Sequence, residues 1–212
     1  MNKITILGSG RVSRSLAAKL SLMGYSVTVG TRDPARTAAG WAAPHIRFAS
    51  HSEAVQGASI VVNAMAGATS LAALSMLRAE LAGTILLDLA NAMERGADGL
   101  PARLTYSEDS LGERLQQALP GTAVVKALNT MAFMVMTDPR SVSTPPTAFL
   151  SGNHEAAKAA VSSLLVDLGW SSEWIEDLGD ITTARATEAL ALIGPSIVRK
   201  RGFAPFAISL AR

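Results

Sequence analysis

Near its N-terminus the chain carries Ile4-Thr5-Ile6-Leu7, a short apolar run cut off by Gly8-Ser9-Gly10. Val12, Leu16, Leu20 and Met23 then recur at helical spacing until Gly24. The pattern predicts a buried strand, a tight turn and an amphipathic helix. Ser26-Val27-Thr28-Val29 is a second β-branched run, ended by Gly30, and Pro34 suits the first turn of another helix. A strand, a helix and a second strand in this order form a crossover unit, which requires a parallel sheet. The turn itself is specialised. Gly8-x-Gly10-x-x-Ser13 nearly matches the glycine signature of a phosphate-binding turn: Gly8 permits the tight turn, Gly10 lets backbone approach a pyrophosphate, and a small third residue allows helix and strand to pack. Serine in the third place departs from that signature. It either pushes the helix outward or turns its hydroxyl to the phosphate.

The end of the second strand selects the nucleotide. An acidic side chain there would accept hydrogen bonds from the ribose hydroxyls of NAD and repel a 2'-phosphate. The sequence instead reads Gly30-Thr31-Arg32, with Arg36 one helical turn further on, and a guanidinium offers a planar fork suited to phosphate. The expected cofactor is NADP(H), held by Gly8, Ser9, Gly10, Arg11, Val12, Thr31, Arg32 and Arg36. Asp33 lies close enough to pair with Arg36 at the surface.

The alternation continues along the chain. Residues 46–48, 59–63, 84–89, 123–125 and 148–150 read as strands, and 71–77 and 113–119 as helices. Ala157, Val161, Leu164, Leu165 and Leu168 mark one face of a later helix closed by Gly169, and Asp180 is placed to cap a last helix reaching Arg199. The fold class is therefore α/β: a doubly wound, mostly parallel Rossmann sheet with a short C-terminal helical extension. At 212 residues and 49% apolar content, one domain accounts for the whole chain. Residues 1–140 form its dinucleotide-binding core and 141–212 an extension completing sheet and cleft, with 141–146 as the boundary.

Ligands of such sheets sit beyond the carboxyl ends of the strands, where the strand order reverses. Three later strands end there in small or amide residues: Ala64-Met65-Ala66-Gly67, Asn91-Ala92-Met93 and Asn129-Thr130-Met131. Met65, Ala66, Asn91, Asn129 and Thr130 are expected around the nicotinamide, with Ala64 and Ala92 beside them; Asn129, Met65 and Ala66 would position it. No acid or base is placed for catalysis. His45, His51 and His154 fall at turns or helix starts, where solvated or capping roles suffice. Lys126 either snorkels outward or points into the cleft. Arg185 and Glu188, three apart on a helix, are expected to pair with each other. The chain has no cysteine, which removes disulfides, thiol nucleophiles and thiolate metal sites, and no metal centre is expected.

In these residues the chain resembles the NADP oxidoreductases that work with the deazaflavin coenzyme F420, whose nucleotide fold also occurs in the cytoplasmic part of membrane ferric reductases. The resemblance rests on Gly8-Ser9-Gly10 with Thr31-Arg32, on Val124-Val125-Lys126-Ala127-Leu128-Asn129-Thr130, on Leu150-Ser151-Gly152-Asn153, and on Asp177-Leu178-Gly179-Asp180-Ile181-Thr182-Thr183-Ala184-Arg185. It implies hydride transfer between NADPH and a deazaflavin or flavin ring stacked on the nicotinamide, in a cleft partly roofed by the C-terminal segment. Such a transfer needs positioning and a dry site more than proton chemistry. Two other readings remain: an NADPH-dependent imine or hydroxyacid reductase, and a non-catalytic NADP(H) redox sensor.

Nineteen basic against seventeen acidic residues leave a net charge of +2, too weak a balance to imply nucleic acid. The most apolar later stretch, 189–198, is interrupted by Gly194 and Pro195 and is about half a membrane span. With no export signal, a cytoplasmic protein acting on a small-molecule redox acceptor is expected, away from membranes. Residues 203–210 either pack on a symmetric partner, giving a homodimer, or cover the subunit's own sheet.

Overall fold

The computed structural model describes residues 3–41, 43 and 45–211. Strands and helices alternate from the start: β1 (Lys3–Leu7), α1 (Arg11–Leu22), β2 (Ser26–Gly30), α2 (Pro34–Trp41), β3 (Arg47–Ala49), α3 (His51–Val55), β4 (Ile60–Asn63), α4 (Gly67–Ser75), α5 (Arg78–Leu81) and β5 (Ile85–Asp88). A hairpin of β6 (Met93–Arg95) and β7 (Pro101–Leu104) follows, then α6 (Leu111–Ala118), β8 (Ala123–Lys126) and α7 (Phe133–Thr137). The chain continues through β9 (Ala148–Gly152), α8 (Glu155–Asp167), β10 (Ile175–Asp177), α9 (Ala184–Leu190) and α10 (Ile193–Arg201).

Eight strands form one sheet in the order β10-β9-β8-β5-β4-β1-β2-β3. It is parallel from β3 to β8, and β9 runs antiparallel to β8 with β10 parallel to β9. The doubly wound sheet read from the sequence is present. It continues across residues 141–146, because Lys126 faces Ser151 and Val125 faces Gly152 in register.

Alternate strand residues point to opposite faces, and the core divides accordingly. Ile4, Ile6, Val62, Leu87 and Val125 pack on one side with Leu16 and Leu20 of α1 and Val161, Leu164 and Leu165 of α8. Val61, Leu86 and Val124 pack on the other with Leu74 of α4 and Leu111 and Leu115 of α6. Both faces are apolar, so these strands read as continuous apolar runs rather than alternating ones. Each such side chain contributes roughly 1.5–3 kcal/mol of transfer free energy. Among the described residues no helix is long and apolar enough to cross a membrane.

The C-terminal helix differs from the sequence expectation. Asp180 accepts from the Thr182 N–H at 2.9 Å and caps only a single turn, Ile181–Thr183. Two helices, α9 and α10, then replace the one expected through Arg199. Pro195 explains the break, since proline lacks an N–H and its ring crowds the carbonyl one turn back. The chain before it tightens: Leu192 bonds back to Ala189 and Gly194 to Ala191, each three residues away. The hairpin β6–β7 and strand β10 carry no periodic signal. They are short, and Glu94, Arg103 and Asp177 stand in them.

Candidate functional site

The phosphate turn has the geometry its glycines require. Gly8 lies at φ +116°, and a Cβ there would come within 2.7 Å of the Ala64 carbonyl oxygen. Its N–H donates to Gly30 at 2.9 Å, holding the turn against the end of β2. Gly10 is the extended cap residue of α1 and supplies no side-chain bond to the helix. Nothing lies within 4 Å of a Cβ built on it, so the first N–H groups of a twelve-residue helix open onto a cradle that any side chain would narrow. That cradle fits a pyrophosphate. Ser13 does not join it: the residue is fully buried, and its hydroxyl has no hydrogen-bond partner.

Three adjoining basins follow the carboxyl ends of the strands. The first, about 340 Å³, is walled by Arg14, Thr31, Arg32, Arg36 and Trp41. The second, about 420 Å³, shares Ser9, Thr31 and Arg32 with it and adds His51, Met65 and Ala66. The third, about 470 Å³, meets the second at Gly10 and Ala64 and extends past Arg11, Val12, Asn91 and Asn129. These shared walls make one groove. Its cationic end matches a 2'-phosphate, its middle the pyrophosphate cradle, and its wide end a ring.

Most residues expected to hold the nucleotide meet along this groove, with changes of place. Met65 and Ala66 stand beside Arg32 and His51 in the middle basin, apart from Asn91 and Asn129. Ala92 and Thr130 are buried and line none of the three basins. Asp33 does not pair with the Arg36 guanidinium; its carboxylate accepts from the Arg36 backbone N–H at 3.0 Å as a turn cap. Both Arg32 and Arg36 are exposed. Arg14, absent from the sequence reading, lies over the Trp41 ring at 5.2 Å and donates to the Gly40 carbonyl at 3.3 Å.

Asn91 and Asn129 clasp each other. The Asn91 amide donates to the Asn129 carbonyl at 2.8 Å, and the Asn129 amide donates to Asn91 Oδ1 at 2.9 Å. Leu128, at φ +57°, is the residue that turns Asn129 inward, a left-handed backbone costing a branched side chain about 1–2 kcal/mol. Gly67 brings α4 onto the same place, since a Cβ there would stand 2.1 Å from the Asn91 carbonyl oxygen.

Beneath these loops runs a buried polar layer. Asn63, Asp88 and Lys126 are direct neighbours in register on β4, β5 and β8. The Asn63 amide donates to Asp88 Oδ1 at 2.7 Å, and Lys126 Nζ reaches Asp88 Oδ2 at 2.8 Å and Glu188 Oε1 at 2.7 Å. Lys126 also donates to the Ala90 carbonyl. It therefore takes neither place expected of it, outward or in the cleft. Glu188 likewise does not pair with Arg185: it is buried and accepts from the Leu111 and Gly112 N–H groups at 3.1 and 3.2 Å, at the start of α6. The helix N-terminus offsets the second carboxylate of the triad. Burial alone would pull the Lys126 ammonium down, but Asp88 and Glu188 outweigh it and hold its pKa above the ordinary lysine value. Arg185 instead forks onto Glu113 at 2.7 and 2.6 Å, and that bond holds the Glu113 carboxyl below its usual range.

The third basin has aromatic walls: Phe203 and Phe206 come from the C-terminal segment expected to roof the cleft, and Phe133 from α7. Phe133 and Phe203 stack with centroids 6.0 Å apart and planes 18° apart, and the Arg11 guanidinium lies over both rings at 5.5 and 4.9 Å. Phe206 lies against α10 at Gly194, where a Cβ would come within 2.9 Å of its ring. The last residues are tied to their own subunit: Ala132 donates to Phe206, Thr147 to Ile208, and Leu210 to the Thr147 hydroxyl, each at 2.9 Å. These bonds seat 203–210 on their own subunit, with Phe203 and Leu210 still exposed. The charged side chains among the described residues lining this basin are two arginines, Arg11 and Arg95.

Comparison with known proteins agrees with this geometry. A family model described as NADP oxidoreductase coenzyme F420-dependent matches residues 3–92. The crystal structure of a provisionally assigned F420-dependent NADP reductase from Arthrobacter sp. FB24 superposes with a TM-score of 0.91, at 40% identity and 99% coverage of both chains. Metalloreductase STEAP3 of Rattus norvegicus is 32% identical over 191 residues, 90% of this chain; the chain spans only 36% of that protein. An imine reductase of Streptomyces aurantiacus shares the fold, with a TM-score of 0.64 at 14% identity over 93% of this chain and 62% of its own.

Proposed function

Because the chain belongs to the coenzyme F420-dependent NADP oxidoreductase family, we propose that it transfers a hydride between NADPH and a deazaflavin or flavin-like ring seated in the third basin. The observation that carries this reading is the join at Gly10 and Ala64 between a nucleotide groove and an aromatic-walled cavity of about 470 Å³ whose charged lining residues, among those described, are arginines. Bound NADPH supplies the hydride. The protein's part is placement. Gly8, Gly10 and the start of α1 hold the pyrophosphate, Thr31 and Arg32 the 2'-phosphate, and the Asn91–Asn129 clasp faces the reacting rings. Phe133, Phe203 and Phe206 form the apolar walls of the acceptor side. The similarity to a metalloreductase also supports reductive chemistry.

Anaerobic mixing of the protein and NADPH with coenzyme F420, FMN or FAD tests the reading. Reduction of one of these rings with loss of deuterium from only one face of C4 of labelled NADPH is the expected result; failure of all three to oxidise NADPH would overturn it. Phe203→Ala is expected to raise the acceptor KM about 3- to 10-fold, the loss of one ring contact, while leaving the NADPH Kd nearly unchanged. Steady-state kinetics alongside equilibrium titration separates the two effects.

A further inference from the structure

Among the residues lining the middle basin, His51 and Arg32 are the titratable ones. His51 opens α3, and its backbone lies against the end of β2: a Cβ built on Gly30 would stand 3.4 Å from the His51 Cα. Thr31 and Arg32 follow Gly30 directly. The ring is half-buried, and it borders the same cavity as the arginine expected to meet the 2'-phosphate.

The other charges near α3 are occupied or elsewhere. Glu53 closes the capping box with Ser50 and has Arg47 of β3 beside it, while Glu80 of α5 accepts from Ser52 at 3.0 Å. Arg78 is exposed on α5, Lys3 lies at the far end of β1, and Asp33 and Arg36 border the first basin instead. Burial first, and Arg32 second, hold the His51 imidazole below the usual histidine value, so it is neutral at neutral pH. A phosphate monoester docked against Arg32, on the wall that the first and middle basins share, reverses this setting, because its nearly two negative charges favour the imidazolium.

We propose that His51 is a second recognition group for the 2'-phosphate, taking up a proton from solvent as the phosphate docks, so that imidazolium and guanidinium together meet the dianion. The proposal rests on the reading of the nucleotide as NADP(H). NADH, lacking that phosphate, leaves His51 neutral. NADPH affinity therefore rises as pH falls toward the lowered pKa of the free His51 imidazole, and NADH affinity does not.

Calorimetric titration of the full chain with NADPH and with NADH, in two buffers of different ionisation enthalpy, reads the proton directly. The wild type is expected to take up a fraction of a proton with NADPH beyond that of His51→Gln, and to show no such difference with NADH. His51→Gln should weaken NADPH about 3- to 10-fold near pH 7, as loss of one hydrogen bond would. The His51 ring resonance should titrate at higher pH in the complex than in the free protein. Equal proton uptake by wild type and His51→Gln, with both still preferring NADPH to NADH, overturns the proposal alone. Loss of that preference in the wild type overturns the nucleotide reading and the proposal with it. His51→Asn, compared by thermal unfolding, guards against a folding defect in the first variant: the proposal requires both variants to lose the extra proton, and a folded His51→Asn that keeps it overturns the proposal.

Discussion

Replacing Lys126 by methionine is expected to remove about 3–5 kcal/mol of folding stability, the cost of stranding a buried charge. The variant leaves Asp88 and Glu188 facing each other at 0% and 3% side-chain exposure with their shared cation gone. A domain of this kind has about 5–15 kcal/mol in all, so much of its margin disappears. The urea midpoint should fall with an unchanged slope; a loss under about 1 kcal/mol would mean that the carboxylates find another partner. The pH dependence has a definite sign. The folded pKa of Lys126 lies above its unfolded value, so its contribution is fully present below about pH 10.4 and is lost only as pH rises through the higher folded value.

Arg32→Ala is expected to weaken NADPH about 10- to 100-fold, as removal of a charged hydrogen-bond partner does, while NADH binds as before. Arg32 borders both the first and second basins, so a 2'-phosphate docked in either is expected to meet it. The ratio of the two dissociation constants is the measurement. Equal weakening of both nucleotides would place Arg32 against the adenine or ribose rather than the phosphate. Arg36→Ala should have a smaller effect of the same kind, because Arg36 borders only the first basin.

The sheet was legible because both its faces are buried, which makes its central strands apolar runs bounded by glycine and small residues. The phosphate turn was legible because backbone conformation limits what can occupy Gly8. Partnerships between distant segments were not. Arg185 and Glu188 have the spacing of a helical pair, yet Glu188 turns in toward Lys126 and Arg185 reaches Glu113, seventy-two residues away. Lys126 in an apolar strand was a signal of its own, since an ammonium so placed needs a buried carboxylate. Asp88 and Glu188 answer that need through strand register and tertiary packing, which no local pattern encodes. The aromatic stack in the third basin was hidden for a similar reason: Phe133 and Phe203 meet only after the tail folds back over α7.

The buried triad also bears on how divisible the molecule is. Asp88 and Lys126 belong to the nucleotide-binding core, whereas Glu188 arrives from α9 and bonds the first N–H groups of α6. A cut at residue 140 would remove the acceptor of two buried N–H groups and half the counter-charge of a buried lysine. The nucleotide unit reads in sequence as a cassette. In three dimensions it borrows a carboxylate from the far end of the chain, so shuffling it onto another partner would require that partner to bring a replacement.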